Sequence, residues 1–207
     1  MKAPVYAEAD HSGLIYEHLT IYVMPQYVEP EIWESEAPPV LIGIHGTLAN
    51  ESETSYIKDI RIPAPHDATD FQFAKAGKFI DGDTIEELEA TVDEAAGEIV
   101  WEPEEEIVLG ETYDFVVEYY FSLTKEGDMH ELPYIYSLER EAKTANILIF
   151  EPYNAEQFSI SGEADLTTEM LGVPVHVYNY TNRDSGKIMD VTISYEKSDS
   201  VTTVEAM

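Results

Sequence analysis

Apolar and polar residues alternate along most of the chain, in short segments separated by Pro, Gly, Asn and Asp. Alternation places successive side chains on opposite faces of a strand, so the pattern predicts β-strands, whereas the period of an amphipathic helix is scarce. One short stretch, Thr84–Leu88, also fits a helical turn, but a strand or loop is favoured there. Strand segments recur roughly every ten to fifteen positions, which is typical of an all-β sandwich or barrel. The predicted strands are Leu19–Met24, Val40–Leu48, Ile57–Ile62, Phe71–Ala74, Glu87–Val92, Glu98–Trp101, Thr112–Phe121, Pro133–Leu138, Asn146–Phe150, Gln157–Ile160, Val173–Tyr180 and Ile188–Tyr195.

The longest of these segments, Thr112–Phe121, has a core side and a wetter side. Tyr, Phe and Val occupy every second position from Tyr113 to Phe121, and Asp114 and Glu118 lie between them. By the same alternation, Trp101 is predicted to face the core, and His45 and His176 to face away from it.

Parts of this pattern occur twice. The first set matches the second at a constant shift of 87 residues: Ile60, Ile62, Pro65, Asp67, Ala68 and Phe71 with Ile147, Ile149, Pro152, Asn154, Ala155 and Phe158. A later set matches at a shift of 76: Ile99, Trp101, Gly110, Asp114, Val117 and Tyr119 with Val175, Val177, Gly186, Asp190, Ile193 and Tyr195. Both shifts preserve the inward positions, which favours an internal duplication over coincidence.

The sequence therefore predicts an all-β fold of two tandem antiparallel β-sandwich domains of immunoglobulin-like type, related by internal duplication. The larger domain covers residues 1–123, and residues 124–207 form a smaller, truncated repeat. The boundary lies near Leu123–Met129, where a polar, turn-rich stretch interrupts the strands.

One segment resembles a known family. Val108-Leu-Gly-Glu-Thr-Tyr-Asp-Phe-Val-Val117 is similar to the approach to the penultimate strands of immunoglobulin-like and fibronectin-III-like domains. The resemblance implies a tyrosine corner, in which the Tyr113 hydroxyl bonds back to the chain near Val108–Gly110. Met189 stands at the equivalent position of the second copy, so the corner is absent there. As a whole, the chain resembles the duplicated sandwich modules of bacterial surface proteins.

Charge narrows the choice of partners. The sequence has 11 Lys and Arg and 42 Asp and Glu, which gives a net charge of −31. A surface of this charge repels nucleic acid and anionic lipid. The chain has no Cys, which excludes disulfides and thiolate metal sites. The sequence contains no apolar run long enough to span a bilayer. Ala7-Glu8-Ala9 has the form of a signal-peptidase site without the basic and apolar regions that precede one, so we expect an exported protein whose export signal is trimmed. An ordinary polar N-terminal tail is the alternative.

No catalytic motif is recognisable. The sequence lacks a Gly-x-Ser-x-Gly element, a phosphate-binding glycine loop and an HExxH pattern, and its histidines are scattered. So many carboxylates could be paired that no pair indicates a glycosidase.

Two weak candidates for ligand sites remain. Asp81, Asp83 and Glu86 supply oxygen ligands for calcium around Gly82, although a turn without metal is favoured because the full calcium loop is missing. Trp33 and Tyr27 lie near a connection rich in Pro and acids, where an exposed ring could stack on a sugar.

From these observations we expect a non-catalytic, exported or cell-surface module with a structural, adhesive or assembly role. Its partners would be other surface proteins or cell-wall components, and it would need no cofactor, with calcium as the exception to test. The alternatives are a carbohydrate- or calcium-binding module and, with less support, an accessory domain of a secreted enzyme or a hydrolase.

Overall fold

The computed structural model describes residues 13–53, 59–65, 68–81 and 84–207. Of Asp81, it describes only the backbone. The predicted all-β fold is confirmed. The strands are β1 Leu14–Pro25, β2 Pro39–Asn50, β3 Ile60–Pro63, β4 Gln72–Asp81, β5 Thr84–Glu87, β6 Thr91–Asp93, β7 Glu98–Trp101, β8 Thr112–Ser122, β9 Thr124–Glu126, β10 Met129–Ser137, β11 Ala142–Phe150, β12 Glu156–Ile160, β13 Leu166–Met170, β14 Val173–Arg183 and β15 Ile188–Glu196. A short helix, α1, covers Thr203–Ala206.

The strands form one large sheet and two small ones. The large sheet has the order β13-β14-β11-β1-β2-β8-β4-β5, and the small sheets have the orders β12-β15-β10-β9 and β3-β7-β6. Inward residues of all three sheets belong to one buried cluster, so the two small sheets pack on the same face of the large one. The opposite face of the large sheet, which we call the outer face, lies outside this cluster.

Alternation explains the core. Tyr113, Phe115, Val117, Tyr119 and Phe121 are buried, whereas Asp114 on the same strand is exposed. Burying these rings and branched side chains drives the packing of the sheets. Sequence alternation is therefore sufficient to sort this strand into its two faces.

The strand order of residues 14–122 recurs in residues 124–196. The first segment, 1–123, contains the neighbours β1-β2-β8-β4 and β3-β7-β6, and the second segment, 124–207, contains β9-β10-β15-β12 and β11-β14-β13. The connection before the last strand of each segment, β8 and β15, also recurs. Gly110 N donates to Asn50 O at 2.9 Å, and Gly186 N donates to Leu138 O at 2.7 Å. Both glycines have positive φ, 80° and 77°, which a residue with a Cβ rarely adopts.

The segments differ from two separately closed sandwiches. Strand β1 pairs in parallel with β11, in the register Ile21 to Ile147, so the large sheet continues from one segment into the other. The pairs shown within each segment are antiparallel, as predicted, and the junction between the segments adds a parallel pair. Buried residues of both segments also share one cluster. The boundary between 1–123 and 124–207 stays a prediction.

The connection before β8 is not held by the hydrogen bonds expected of a tyrosine corner. The Tyr113 hydroxyl accepts a hydrogen bond from Trp101 Nε1 at 3.2 Å, and both rings are buried. Asn50 holds the connection instead. Its side-chain Nδ2 donates to Ile107 O at 2.7 Å, and its backbone carbonyl oxygen accepts a hydrogen bond from Gly110 N. Gly110 therefore serves the turn, but the bond from Tyr113 back to Val108–Gly110 is not among the contacts shown for the described residues.

A buried polar network crosses the junction of the two segments. The Glu139 carboxylate accepts hydrogen bonds from the hydroxyls of Tyr16 and Tyr136 and pairs with Arg140 Nε at 3.2 Å. Arg140 also donates to Arg61 O at 3.2 Å, and its guanidinium lies 5.2 Å from the centre of the Tyr16 ring. The network thus connects β1 and β3 of the first segment with the β10–β11 connection of the second.

Burial raises the pKa of Glu139, and the neighbouring Arg140 opposes that rise. The side chains of Glu139 and Arg140 are 6% and 1% exposed, so each ion depends on the other for compensation.

We predict that Arg140→Met lowers the free energy of unfolding by about 3 kcal/mol, because it leaves the Glu139 carboxylate buried without its cation. The pKa of Glu139 then rises further above its unfolded value. A carboxyl whose pKa is raised by folding makes the folded state less stable as pH increases. The free energy of unfolding lost in Arg140→Met is therefore larger at about pH 8 than at about pH 5. Urea unfolding at both pH values measures it.

The control is the double variant Glu139→Gln with Arg140→Met, which has no buried carboxylate at this place. Because it has no carboxyl at position 139 to titrate, its unfolding free energy is expected to fall less between about pH 5 and about pH 8 than that of Arg140→Met. An equal cost of Arg140→Met at both pH values contradicts the proposed role of the pair.

We also predict that Asn50→Leu, which introduces the residue found at the equivalent place in the second segment, lowers the unfolding free energy by roughly 1–3 kcal/mol. It leaves the Ile107 carbonyl without the Asn50 donor. Urea unfolding measures the loss. Val108→Ala, at an exposed position of the same connection, is the control and is expected to change stability by less than about 0.5 kcal/mol. Equal effects of the two substitutions contradict the role of Asn50.

Candidate functional site

The outer face of the large sheet is the most distinctive surface of the chain. Its side chains form cross-strand rows on β14, β11, β1, β2 and β8. From one end to the other, the rows are Val175, Phe150, Met24, Leu41 and Tyr120; Val177, Leu148, Tyr22, Gly43 and Glu118; Asn179, Asn146, Thr20, His45 and Val116; and Thr181, Thr144, His18, Thr47 and Asp114.

The rows change character along the face. A second apolar cluster, separate from the core, occupies the first two rows and is centred on Phe150, Val173 and Val175. The Tyr27 ring meets Phe150 edge-on, with 6.0 Å between ring centres. Amide, hydroxyl and imidazole groups occupy the other two rows, except on β8, where the rows end in Val116 and Asp114. The face therefore grades from apolar to neutral polar.

Carboxylates are scarce on this face. Among the residues of the four rows, only Glu118 and Asp114 carry one. Glu118 pairs with Lys75 at 3.2 Å, and Asp114 accepts a hydrogen bond from Thr47 Oγ1 at 2.5 Å. By contrast, the exposed positions of β10 and β15 carry Glu131 and Asp190, and on the large sheet Glu86 and Glu87 lie only on the edge strand β5, outside the four rows. In a chain of net charge −31, a face with so few carboxylates stands apart.

A shallow cavity of about 320 Å³ lies at the polar end of the face. His18, His45, Thr47, Phe79 and Asp114 line it. His45 faces outward as predicted, and its ring centre lies 4.8 Å from that of Tyr22 and 5.6 Å from that of Phe79. Burial, with a smaller contribution from Lys75, lowers the pKa of His45, so its imidazole is neutral at pH 7. His18 Nδ1 lies 2.7 Å from Thr144 Oγ1 and links β1 to β11.

The prediction for His176 is wrong. It pairs across the sheet with the core residue Ile149, and its ring stacks on Phe158 at 5.3 Å, so it faces the core side. Its nitrogens lie 2.6 Å from Glu151 Oε1 and 3.2 Å from Thr167 Oγ1. Sequence reasoning missed this hydroxyl–imidazole–carboxylate chain because the three residues are separated along the chain and match no motif. The stacked ring and the cross-strand pairing of Thr167 with His176 favour a structural role for it.

Trp33 and Tyr27, which the sequence singled out as ring platforms, are not brought together. Trp33 is half-buried and lines a pocket formed by the β1–β2 connection, β9, β10 and the chain after β15. Tyr27 is not among the residues that line this pocket; it belongs to the apolar end of the outer face.

The calcium candidate cannot be assembled from the described residues. Asp83 and the Asp81 side chain lie outside them, and Glu86 is exposed on β5. Within the described ranges, no three His, Asp or Glu side chains converge closely enough to hold a metal ion. In these ranges, no helix is sufficiently long and apolar to span a membrane.

Comparison with known proteins identifies the fold but no family. No protein-family model matches the chain, and no curated protein matches it either. A solved structure of an M1 zinc metallopeptidase mutant from Deinococcus radiodurans, bound to a Tyr-Ser-Ala substrate, is 12% identical, with a TM-score of 0.53. The match covers 88% of this chain and 43% of that one. A further structure of the M1 zinc metallopeptidase from the same organism is 12% identical over 87% of this chain and 42% of that one, with a TM-score of 0.51. The chain thus spans less than half the length of these peptidases, and at this identity the likeness shows a shared β-fold alone.

Proposed function

We propose that this chain is a non-catalytic β-domain of an exported or cell-surface protein, and that it acts by assembly. Its outer face is the docking surface, and the partner is a protein with a largely uncharged, partly apolar surface. The observation that carries the proposal is the scarcity of carboxylates on this one face of a strongly acidic chain.

The chemistry of the face supports docking. Protein interfaces are depleted of charged residues at their centre and enriched in aromatic residues and Met, and the half-buried side chains of the apolar rows include Tyr22, Met24 and Tyr120. Half-buried apolar side chains at one end would be covered by a partner, and the hydroxyl and amide rows supply hydrogen bonds beside them. Elsewhere, the negative charge keeps the domain soluble and repels other acidic surfaces.

We further infer that the repeated strand order reflects an internal duplication of an immunoglobulin-like unit, as in modules of bacterial surface proteins. The recurring connection at Gly110 and Gly186 supports this origin. A continuous sheet across both units makes the domain rigid, which suits a spacer or assembly segment better than a hinge does. The carbohydrate- and calcium-binding alternatives stay predictions from the sequence.

The docking prediction is tested by photo-crosslinking in the source cells. A photoreactive phenylalanine analogue replaces Thr20, at the centre of the outer face, or Thr192, an exposed threonine on the outside of a small sheet. Thr20 is expected to yield a discrete protein adduct that Thr192 does not, because only the outer face docks.

The specificity of that adduct is tested by adding charge. Asn146→Asp adds a carboxylate to the face at nearly constant shape, and we expect it to reduce the yield roughly tenfold, since an unpaired charge in an interface is costly. Asn182→Asp, at an exposed position near the end of β14, is the matched control and should leave the yield unchanged. Identical adducts from Thr20 and Thr192, or no difference between the Asp variants, would contradict the proposal.

A further inference from the structure

A half-open pocket of about 390 Å³ lies where the β1–β2 connection meets the second segment. Gln26, Trp33 and Glu36 line it from the first segment, and Lys125, His130 and Asp199 line it from the second. Its volume lies within the range of small-ligand sites. It lies away from the rows that define the outer face, so an inference drawn from it is independent of the docking proposal.

Two of the residues that line this pocket, Gln26 and His130, each carry a buried acceptor without a donor. Gln26 is 4% exposed and His130 is 1% exposed, yet Gln26 Oε1 and His130 Nδ1 have no hydrogen-bond partner among the described residues. His130 Nε2 lies 3.2 Å from Lys197 O, and a carbonyl can only accept, so Nε2 carries the proton and Nδ1 presents a lone pair. Burial lowers the pKa of His130, which keeps the ring neutral. A buried acceptor without a donor is costly, so the pocket is built to receive donors.

The aromatic wall of the pocket is held in place. Trp33 Nε1 donates to Ala37 O at 2.9 Å, which fixes the indole within its own connection. Ala37 N donates to Ser35 Oγ at 3.2 Å, and Ser122 Oγ donates to the same oxygen at 3.2 Å, which attaches the connection to the end of β8. A ring held in this way can stack on a planar ligand without a large ordering cost.

The charge of the pocket favours a cation. Glu29, Glu36 and Asp199 line it with carboxylates, whereas Lys125 is the one ammonium among its lining residues. Lys197, whose side chain is fully buried, bonds Asp199 and lowers its pKa, so that carboxyl is ionised. The lining groups are therefore mainly acceptors, with an excess of negative charge.

We propose that this pocket binds a guanidinium group, stacked on Trp33 and donating to Gln26 Oε1 and His130 Nδ1. A guanidinium is planar, always charged and has five N–H donors and no acceptor, so it matches a site that offers a flat ring, negative charge and unpaired acceptors. An ammonium lacks the plane that stacks, and a saccharide lacks the charge. The group is carried either by a small guanidine compound or by an arginine side chain of a polypeptide.

Titration of the full chain with methylguanidinium tests the site, at millimolar concentrations and constant ionic strength. Fluorescence follows Trp33, and isothermal calorimetry gives the affinity. We expect saturable binding, and tighter binding of acetyl-arginine amide if the ligand is a polypeptide arginine. Weaker binding of acetyl-arginine amide than of methylguanidinium indicates a free guanidine compound, and both results support the site. n-Butylammonium and glucose are expected to bind at least tenfold more weakly.

Variants assign the binding to the pocket. Gln26→Leu removes one acceptor and is expected to weaken methylguanidinium at least tenfold, whereas the matched Gln72→Leu on β4 leaves the affinity unchanged. Far-UV circular dichroism checks the fold, and Trp33→Ala, in the connection outside the strands, gives a second test by calorimetry if Gln26→Leu fails to fold. Three results would overturn the proposal: no saturable binding, equal binding of n-butylammonium, or binding of glucose alone.

Discussion

The parallel pairing of β1 with β11 is the constraint on which the rest of the structure depends. Without it, the two segments would be separate units, each with a narrow sheet and unpaired edges on β1 and β11. With it, the sheets become one surface, and the small sheets share a continuous core beneath it. Glu139 and Arg140 lie at this junction, where an isolated buried charge would be costly and a compensated pair is tolerated. The outer face therefore exists only because the two segments are joined.

The sequence predicts the elements of this fold better than their arrangement. Alternation identifies β8 with its buried side because each inward residue is large and apolar. It fails for β13, where all five residues are exposed and leave no alternation to detect, and for the short β9. Thr84–Glu87 forms β5, consistent with the strand or loop favoured there over a helical turn, because this segment pairs with β4. Nothing in the local pattern of Ile21 or Ile147 specifies that they pair with each other.

For the candidate sites too, the sequence identifies single residues better than their arrangement. Trp33 was found because an indole in a polar connection is unusual, but its partners Gln26 and His130 are ordinary in sequence and become notable only when buried without donors. The outer face was missed because its residues come from five strands, so its low charge cannot be seen along the chain. The outward assignment of His176 is wrong because the sequence pattern places Val175 and Val177 in the core, whereas both belong to the second apolar cluster on the outer face. The partner of His176, Ile149, lies in the core.

Hydrogen exchange of the native chain, read by NMR at single amides, tests the joined fold most directly. If β1 and β11 hold one cooperative unit together, the slowest amides of Leu19 in β1, Ile147 in β11 and Ile193 in β15 should open with the same free energy as global unfolding. A distinctly lower opening free energy for the second segment, with Leu19 still at the global value, would show that the segments unfold separately and would contradict the account.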